Sequence, residues 1–239
     1  MDMTEKKCGI ILLHGWGIGF PTGVVTKSFV TSSLFGLGLK NCVIKEPKAP
    51  KQPITALPLS FTAQTVGLNL TRSWFDIILL PSVSVQSDDG GECKEGLQTA
   101  LSWVENEIKD LIDSGVPSSN IIILGYSQGG ALVLYTAVHT KYKIGGFIPF
   151  ATWLPLLRAE PITSTQTPVN KHTPILQLHG LLDTVVTYNP AATMTNMEMN
   201  KVFTNYQFEN VALGDHFTTL NPITIPLIRR WIKDNVKFS

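Results

Sequence analysis

Short apolar runs alternate along the chain with longer stretches whose apolar positions recur every three or four residues. "CGIILLHG" (8–15) reads as a buried strand that runs into a glycine-bearing turn. "VVTKSFVTSSLFGLGL" (24–39) is amphipathic and predicts helix over at least part of its length. "NCVIKEP" (41–47) predicts a short strand stopped by Pro47, and the proline-rich 45–62 stretch predicts a loop. "FDIILLPS" (75–82) has strand composition. From Lys94 to Ser114, Leu97, Leu101, Val104, Ile108, Leu111 and Ile112 fall on one helical face, and "GVPSSN" ends that helix. "IIILG" (121–125) predicts a buried strand and "QGGALVLYTAVHT" (128–140) a helix. "IGGFIPFA" and "PILQLHG" predict further strands. Helix is expected over 189–200, strand over "KVFTNYQF" (201–208), and a last helix over 221–236 with Pro222 near its first turn.

Strands that alternate with helices imply a mostly parallel central sheet with helices on both faces. No repeat or polar linker divides the chain, so one α/β domain over 1–239 is expected. In such sheets active sites lie beyond the carboxyl ends of the strands. The turns after 10–13, 121–125, 174–178 and 201–208 are therefore the ones to inspect.

Composition narrows the function classes. Hydrophobic residues make up 44% and charged residues 15%, which fits a core-rich globular chain. A formal net charge of +1 and the lack of a basic stripe argue against nucleic acid as a partner. The N-terminal apolar run is too short for a signal-peptide core or a membrane span, and no later run reaches transmembrane length. Cys8, Cys42 and Cys93 are odd in number and widely spaced. They are read as buried small residues in a reducing, cytoplasmic setting, with no disulfide framework and no metal spacing.

The inspected turns hold the candidate chemistry. Gly125-Tyr126-Ser127-Gln128-Gly129 is G-x-S-x-G between a strand and a helix, the context a nucleophile elbow requires. A helix N-cap would explain Ser127 but not the two flanking glycines. A serine needs a base. Of five histidines (14, 139, 172, 179 and 216), His216 follows the last strand and fits the chain order serine, acid, histidine. Asp183 follows a strand and lies between the two. Asp215 is the rival acid, but it adjoins His216, and neighbouring side chains in an extended loop point apart. The oxyanion donors expected are the backbone N–H groups of Gln128 and of Trp16 in "LHGWGIG". A dinucleotide site there fails, because "GWGIGF" lacks the third glycine of G-x-G-x-x-G.

Taken together, the chain resembles the acyl-protein thioesterases and their lysophospholipase and carboxylesterase relatives, which have the α/β-hydrolase fold. The resemblance rests on "LHGWG", "SWFDI", "VQSDDGG", "ILGYSQGGALVLYTA", "WLPL" and "LQLHGLLDTVV", in that order. It implies Ser127, Asp183 and His216 as a triad, and an acyl channel beside Trp153, Leu154 and Val185. It implies no metal or organic cofactor. The substrates it implies are S-acylated proteins, lysophospholipids or simple carboxyl esters, with room for transient contact at a membrane surface. Ile18 and Lys48 depart from the family pattern, and the 53–73 stretch is longer than usual; all three bear on substrate choice. The alternatives kept open are a general carboxylesterase on small esters and a non-catalytic binding protein on the same fold. Cys8 beside the first strand is a candidate for lipidation, weighed against simple burial.

Overall fold

The computed structural model describes residues 7–17, 42–52, 54–56, 71–88, 91–163 and 167–238. The amphipathic 24–39 stretch, Ile18 and most of the 53–73 segment lie outside the described residues.

Six parallel strands form the sheet, in the order β2-β1-β5-β6-β7-β8. They are β1 (Cys8–Leu13), β2 (Cys42–Lys45), β5 (Ile121–Tyr126), β6 (Gly146–Phe150), β7 (Ile175–Gly180) and β8 (Tyr206–Val211). A two-stranded antiparallel ribbon, β3 (Lys51–Gln52) with β4 (Thr71–Arg72), lies apart from it. The helices are α1 (Lys94–Asp113), α2 (Gln128–His139), α3 (Thr193–Val202) and α4 (Thr224–Asn235).

β1, β5, β6 and β7 are buried along their whole length. Near-continuous apolar runs are what a parallel sheet covered on both faces demands. Alternate residues feed two cores. Ile11, Leu13, Ile121, Ile123 and Phe147 join one core with α1, α2 and α3. Ile10, Leu12, Ile122, Leu124 and Ile148 join the other with Ile228, Trp231 and Ile232 of α4. Along α1, Leu97, Ala100, Val104, Ile108 and Leu111 are buried at helical spacing, while Leu101 and Ile112 sit partly buried at the margin. α2 is buried from Gln128 to Ala137, as expected of a helix apolar on all sides.

Three elements differ from expectation. Residues 75–82 form no strand: Ile77 makes only an isolated bridge to Glu92, and Pro81–Ser84 is a helical turn. Its backbone bonds to loop residues instead, with Ile78 and Leu79 N–H donating to Gly91 O, Cys93 N–H to Asp76 O and Ala56 N–H to Ile77 O, while the Gln128 amide bonds Trp74 and Phe75 at its start. β8 starts at Tyr206, because Lys201 and Val202 still belong to α3. α4 starts at Thr224, three residues later than expected, so Pro222 lies just before it and Pro226 lies in its first turn, where a missing N–H costs nothing.

The cysteine reading also needs correction. Cys8 and Cys42 are joined as a disulfide, and Cys93 is free. The two stand opposite each other in the β1–β2 register although 34 residues separate them. Strand pairing of this kind cannot be read from cysteine spacing. With it goes the cysteine argument for a reducing compartment. Cys8 is fully buried, so burial is the reading that describes its side chain. Among the described residues no helix is long and apolar enough to cross a membrane.

Trp231 covers the sheet face opposite α1 and α2, and a Cβ on Gly146 would approach its ring at 3.5 Å. Trp231→Ala is expected to cost about 3–5 kcal/mol of stability by chemical denaturation. A loss below about 1 kcal/mol would contradict this packing.

Candidate active site

The chain leaves β1 for β2 on one side and later enters β5 on the other, so β1 and β5 flank a topological switch point. His14 follows β1 and Ser127 follows β5. Asp183 lies just beyond β7, and His216 beyond β8.

Ser127 has φ 54° and ψ −118°, a conformation that L residues rarely adopt. Close packing holds it there. A Cβ on Gly125 would collide with the carbonyl of Gly129, and one on Gly129 with the carbonyls of Leu13 and His14. The glycines therefore allow strand, turn and helix to touch backbone to backbone. Ser127 N–H donates to Phe150 O at 3.1 Å, and Thr152 Oγ1 donates to Ser127 O at 2.7 Å.

His216 Nε2 lies 3.1 Å from Ser127 Oγ, and its Nδ1 lies 2.8 Å from Asp183 Oδ2. A carboxylate only accepts, so Nδ1 carries the proton and Nε2 is left to accept from the serine hydroxyl. Asp183 Oδ1 accepts from the N–H groups of Val185 and Val186 at 2.9 and 2.8 Å. The acid is thus fixed at both oxygens and buried. The His216 ring packs against Tyr126 at 5.1 Å and Phe217 at 5.4 Å. Burial pushes the Tyr126 phenol far up, with Asp183 and Asp215 adding to the effect.

The rival acid is engaged elsewhere. Asp215 Oδ1 accepts from Thr218 Oγ1 and from the N–H groups of Phe217 and Thr218, which closes its own turn. The Thr218 hydroxyl is the main cause holding this exposed carboxyl below its usual range. The other histidines are also accounted for. His14 is buried, with Nε2 accepting from Ala49 N–H and Nδ1 beside Gly15 O, and burial lowers its pKa. His139 stacks on Tyr135, and His172 bonds Thr204 at the surface.

Gln128 follows Ser127 within the elbow, and Gly15, next to Trp16, packs against Tyr126 and Ser127. Gln128 N–H is in the first turn of α2, where intrahelical acceptors are lacking. The Gln128 side chain, which sequence reasoning left unassigned, is fully buried. It bonds Trp74 N, Ser73 Oγ and Phe75 O, tying the elbow to "SWF". Trp16 is half-buried, and its indole donates to Thr71 Oγ1 at 2.6 Å. Lys48 is exposed.

The expected acyl-channel residues separate. Val185 is half exposed, two residues from Asp183. Trp153 and Leu154 are 1% and 3% exposed and belong to the core, and Leu154 also lines a small cavity with Tyr135, His139 and Leu156. Glu92, a second residue missed in the sequence, binds the Trp153 indole. Its buried carboxyl accepts from Trp153 Nε1 at 2.7 Å and Leu156 N at 2.9 Å, and burial pushes its pKa up. Among the described residues no cluster of His, Cys, Asp and Glu is gathered as for a metal ion.

Residues 3–220 match the model of a family described as Phospholipase/Carboxylesterase. The chain belongs to this family. The acyl-protein thioesterase 1 of Yarrowia lipolytica is 29% identical over 232 residues, covering 95% of this chain and 92% of that protein. A "Probable carboxylesterase" of Oryza sativa subsp. japonica is 27% identical over 230 residues, covering 96% of this chain and 78% of that one. Among solved structures, Arabidopsis thaliana SOBER1 superposes with a TM-score of 0.76 at 26% identity, covering 97% of this chain and all of that one. Zea mays acyl-protein thioesterase 2 does so with a TM-score of 0.68 at 24% identity, covering 97% and 95%. The chain is a hydrolase with the α/β-hydrolase fold.

Alanine for glycine inside a helix normally stabilises by about 1 kcal/mol. At Gly129 the sign should reverse. Gly129→Ala is expected to lower the chemical denaturation midpoint and to abolish labelling by a fluorophosphonate. A gain in stability would contradict the backbone contact between α2 and the turn after β1.

Proposed function

We propose that the chain is a serine hydrolase that cleaves acyl thioesters of S-acylated proteins and carboxyl esters such as lysophospholipids. The observation that carries the reading is the hydrogen-bonded chain Ser127–His216–Asp183, set on a strained backbone at the switch point. The name of the 29%-identical yeast relative, an acyl-protein thioesterase, supports the thioester substrate.

In this reading Ser127 Oγ attacks the acyl carbonyl as His216 Nε2 takes its proton. Asp183 keeps the ring in that tautomer and stabilises the imidazolium. Backbone N–H groups of Gln128 and Trp16 bind the oxyanion; loss of one such donor typically costs about 2.7–4 kcal/mol. His216 gives the proton to the leaving thiolate or alkoxide, which departs as the thiol or alcohol. Water, deprotonated by His216, then releases the acid from Ser127. The exposed side chains of Leu182, Val185 and Phe217 border the acid and base loops and supply apolar surface for an acyl chain. A second reading, a carboxylesterase on small esters, draws on the burial of Trp153 and Leu154, which leaves a long chain less to contact there.

Ser127→Ala is expected to fold and to lose nearly all turnover; turnover within about tenfold of wild type would sink the assignment. On one activated thioester, Asp183→Asn should lower kcat by orders of magnitude, about 10⁴ in the serine-protease precedent, while Asp215→Asn stays within roughly tenfold. The reverse order would overturn the choice of acid. A kinetic panel should favour long-chain thioesters and lysolipids over acetyl esters. Equal kcat/KM on all of them would favour the small-ester reading.

A further inference from the structure

A second histidine stands behind the acid. His179, in β7, has a fully buried side chain, and its Nε2 lies 3.5 Å from Asp183 Oδ2, the oxygen that binds His216. The same Nε2 lies 2.8 Å from Val186 O. A carbonyl only accepts, so Nε2 carries the proton. Val186 in turn donates its N–H to Asp183 Oδ1 at 2.8 Å. His179, Val186 and Asp183 thus form a closed ring of contacts: the imidazole holds the Val186 carbonyl, the Val186 amide holds Oδ1, and the imidazole N–H edge faces Oδ2.

We propose that His179 is a positioning residue whose neutral ring clamps the Asp183 carboxylate in the orientation that serves His216. The inference rests on the triad reading above and adds a fourth member that does not touch substrate.

Neutrality is essential to this role. A cationic His179 would pair with Asp183 and cancel the charge that stabilises the His216 imidazolium. The structure disfavours that cation in two ways. His179 Nδ1 is buried without a hydrogen-bond partner among the described residues, and a proton placed there would be a buried, unsatisfied donor. Burial also pushes the ring below the ordinary imidazole range, and the nearby His216 acts in the same direction. The Val186 carbonyl and the Asp183 charge oppose the shift but are outweighed. The groups that face His179 are Asp183 from the loop after β7, His216 from the loop after β8, and the Tyr188 ring at 6.3 Å. Asp183 is the one acid among them, and its charge is shared with His216.

The role differs from simple filling of space. Phenylalanine fills a similar volume but cannot donate to Val186. Glutamine carries an amide N–H at about the reach of Nε2. His179→Phe and His179→Gln should be compared with wild type and Ser127→Ala on an activated ester, with folding checked by circular dichroism. His179→Phe is expected to lower kcat by at least about tenfold with KM within about twofold, since a misplaced acid costs turnover more than binding. His179→Gln should recover most of that loss. The downfield proton signal of His216 Nδ1–H should persist in wild type and His179→Gln and be lost in His179→Phe. If His179→Phe does not fold, the tautomer decides: nitrogen-15 spectra of wild type should show Nε2 protonated and Nδ1 bare from about pH 5.5 to 9. Protonation of Nδ1 in that range would overturn the proposal. So would wild-type kcat in a folded His179→Phe, or equal losses in the two variants. Ser127→Ala separates the two levels. If it is inert while His179→Phe is fully active, only the role of His179 falls. If it retains turnover, the triad reading falls and the inference with it.

Discussion

The backbone contact between α2 and the turn after β1 is the constraint on which the site depends. Gly129 sits against the carbonyls of Leu13 and His14, and Gly125 against the carbonyl of Gly129. No side chain fits at either place. That contact presses the strand–turn–helix unit into a bend so sharp that Ser127 takes a positive φ and projects from the end of the sheet. It also fixes the separation between the two turns expected to supply oxyanion donors. The buried Gln128 amide locks the arrangement from the other side, since it satisfies the backbone of a segment that pairs with no sheet.

The acid and base arrive by a different route. β7 and β8 are parallel neighbours, so the loops that leave them emerge side by side, and Leu182 N–H bonds Gly214 O across the gap. Asp183 and His216 are 33 residues apart in sequence and 2.8 Å apart in space for that reason. A parallel sheet therefore brings Ser127, Asp183 and His216 together from three turns at the carboxyl ends of its strands, which a single contiguous segment could not do.

Much of this was legible in the sequence. The buried strands at 8–13, 121–126 and 175–180 announced themselves as apolar runs, and the 94–113 helix by its spacing. Ser127, Asp183 and His216 were singled out by the turns that hold them and by the chain order serine, acid, histidine. What escaped had a common physical origin: contacts made across the fold. Residues 75–82 have strand composition, but their backbone bonds to loop residues such as Gly91, Cys93 and Ala56 and not to a neighbouring strand. Cys8 and Cys42 meet only because two strands pair in register. The bond that holds the Trp153 indole comes from Glu92, 61 residues earlier. His179 looked like a strand-end histidine, because its partner Val186 lies beyond a turn that sequence does not draw.

The central claim is that Ser127 becomes covalently acylated during turnover. The most direct measurement is mass spectrometry of the enzyme acid-quenched within the first turnover of a long-chain acyl thioester, with peptide mapping of the adduct. The account predicts an added acyl mass confined to the peptide that contains Ser127, absent when His216 is replaced by alanine. An adduct on Cys93, or turnover with no covalent species at any quench time, would contradict it.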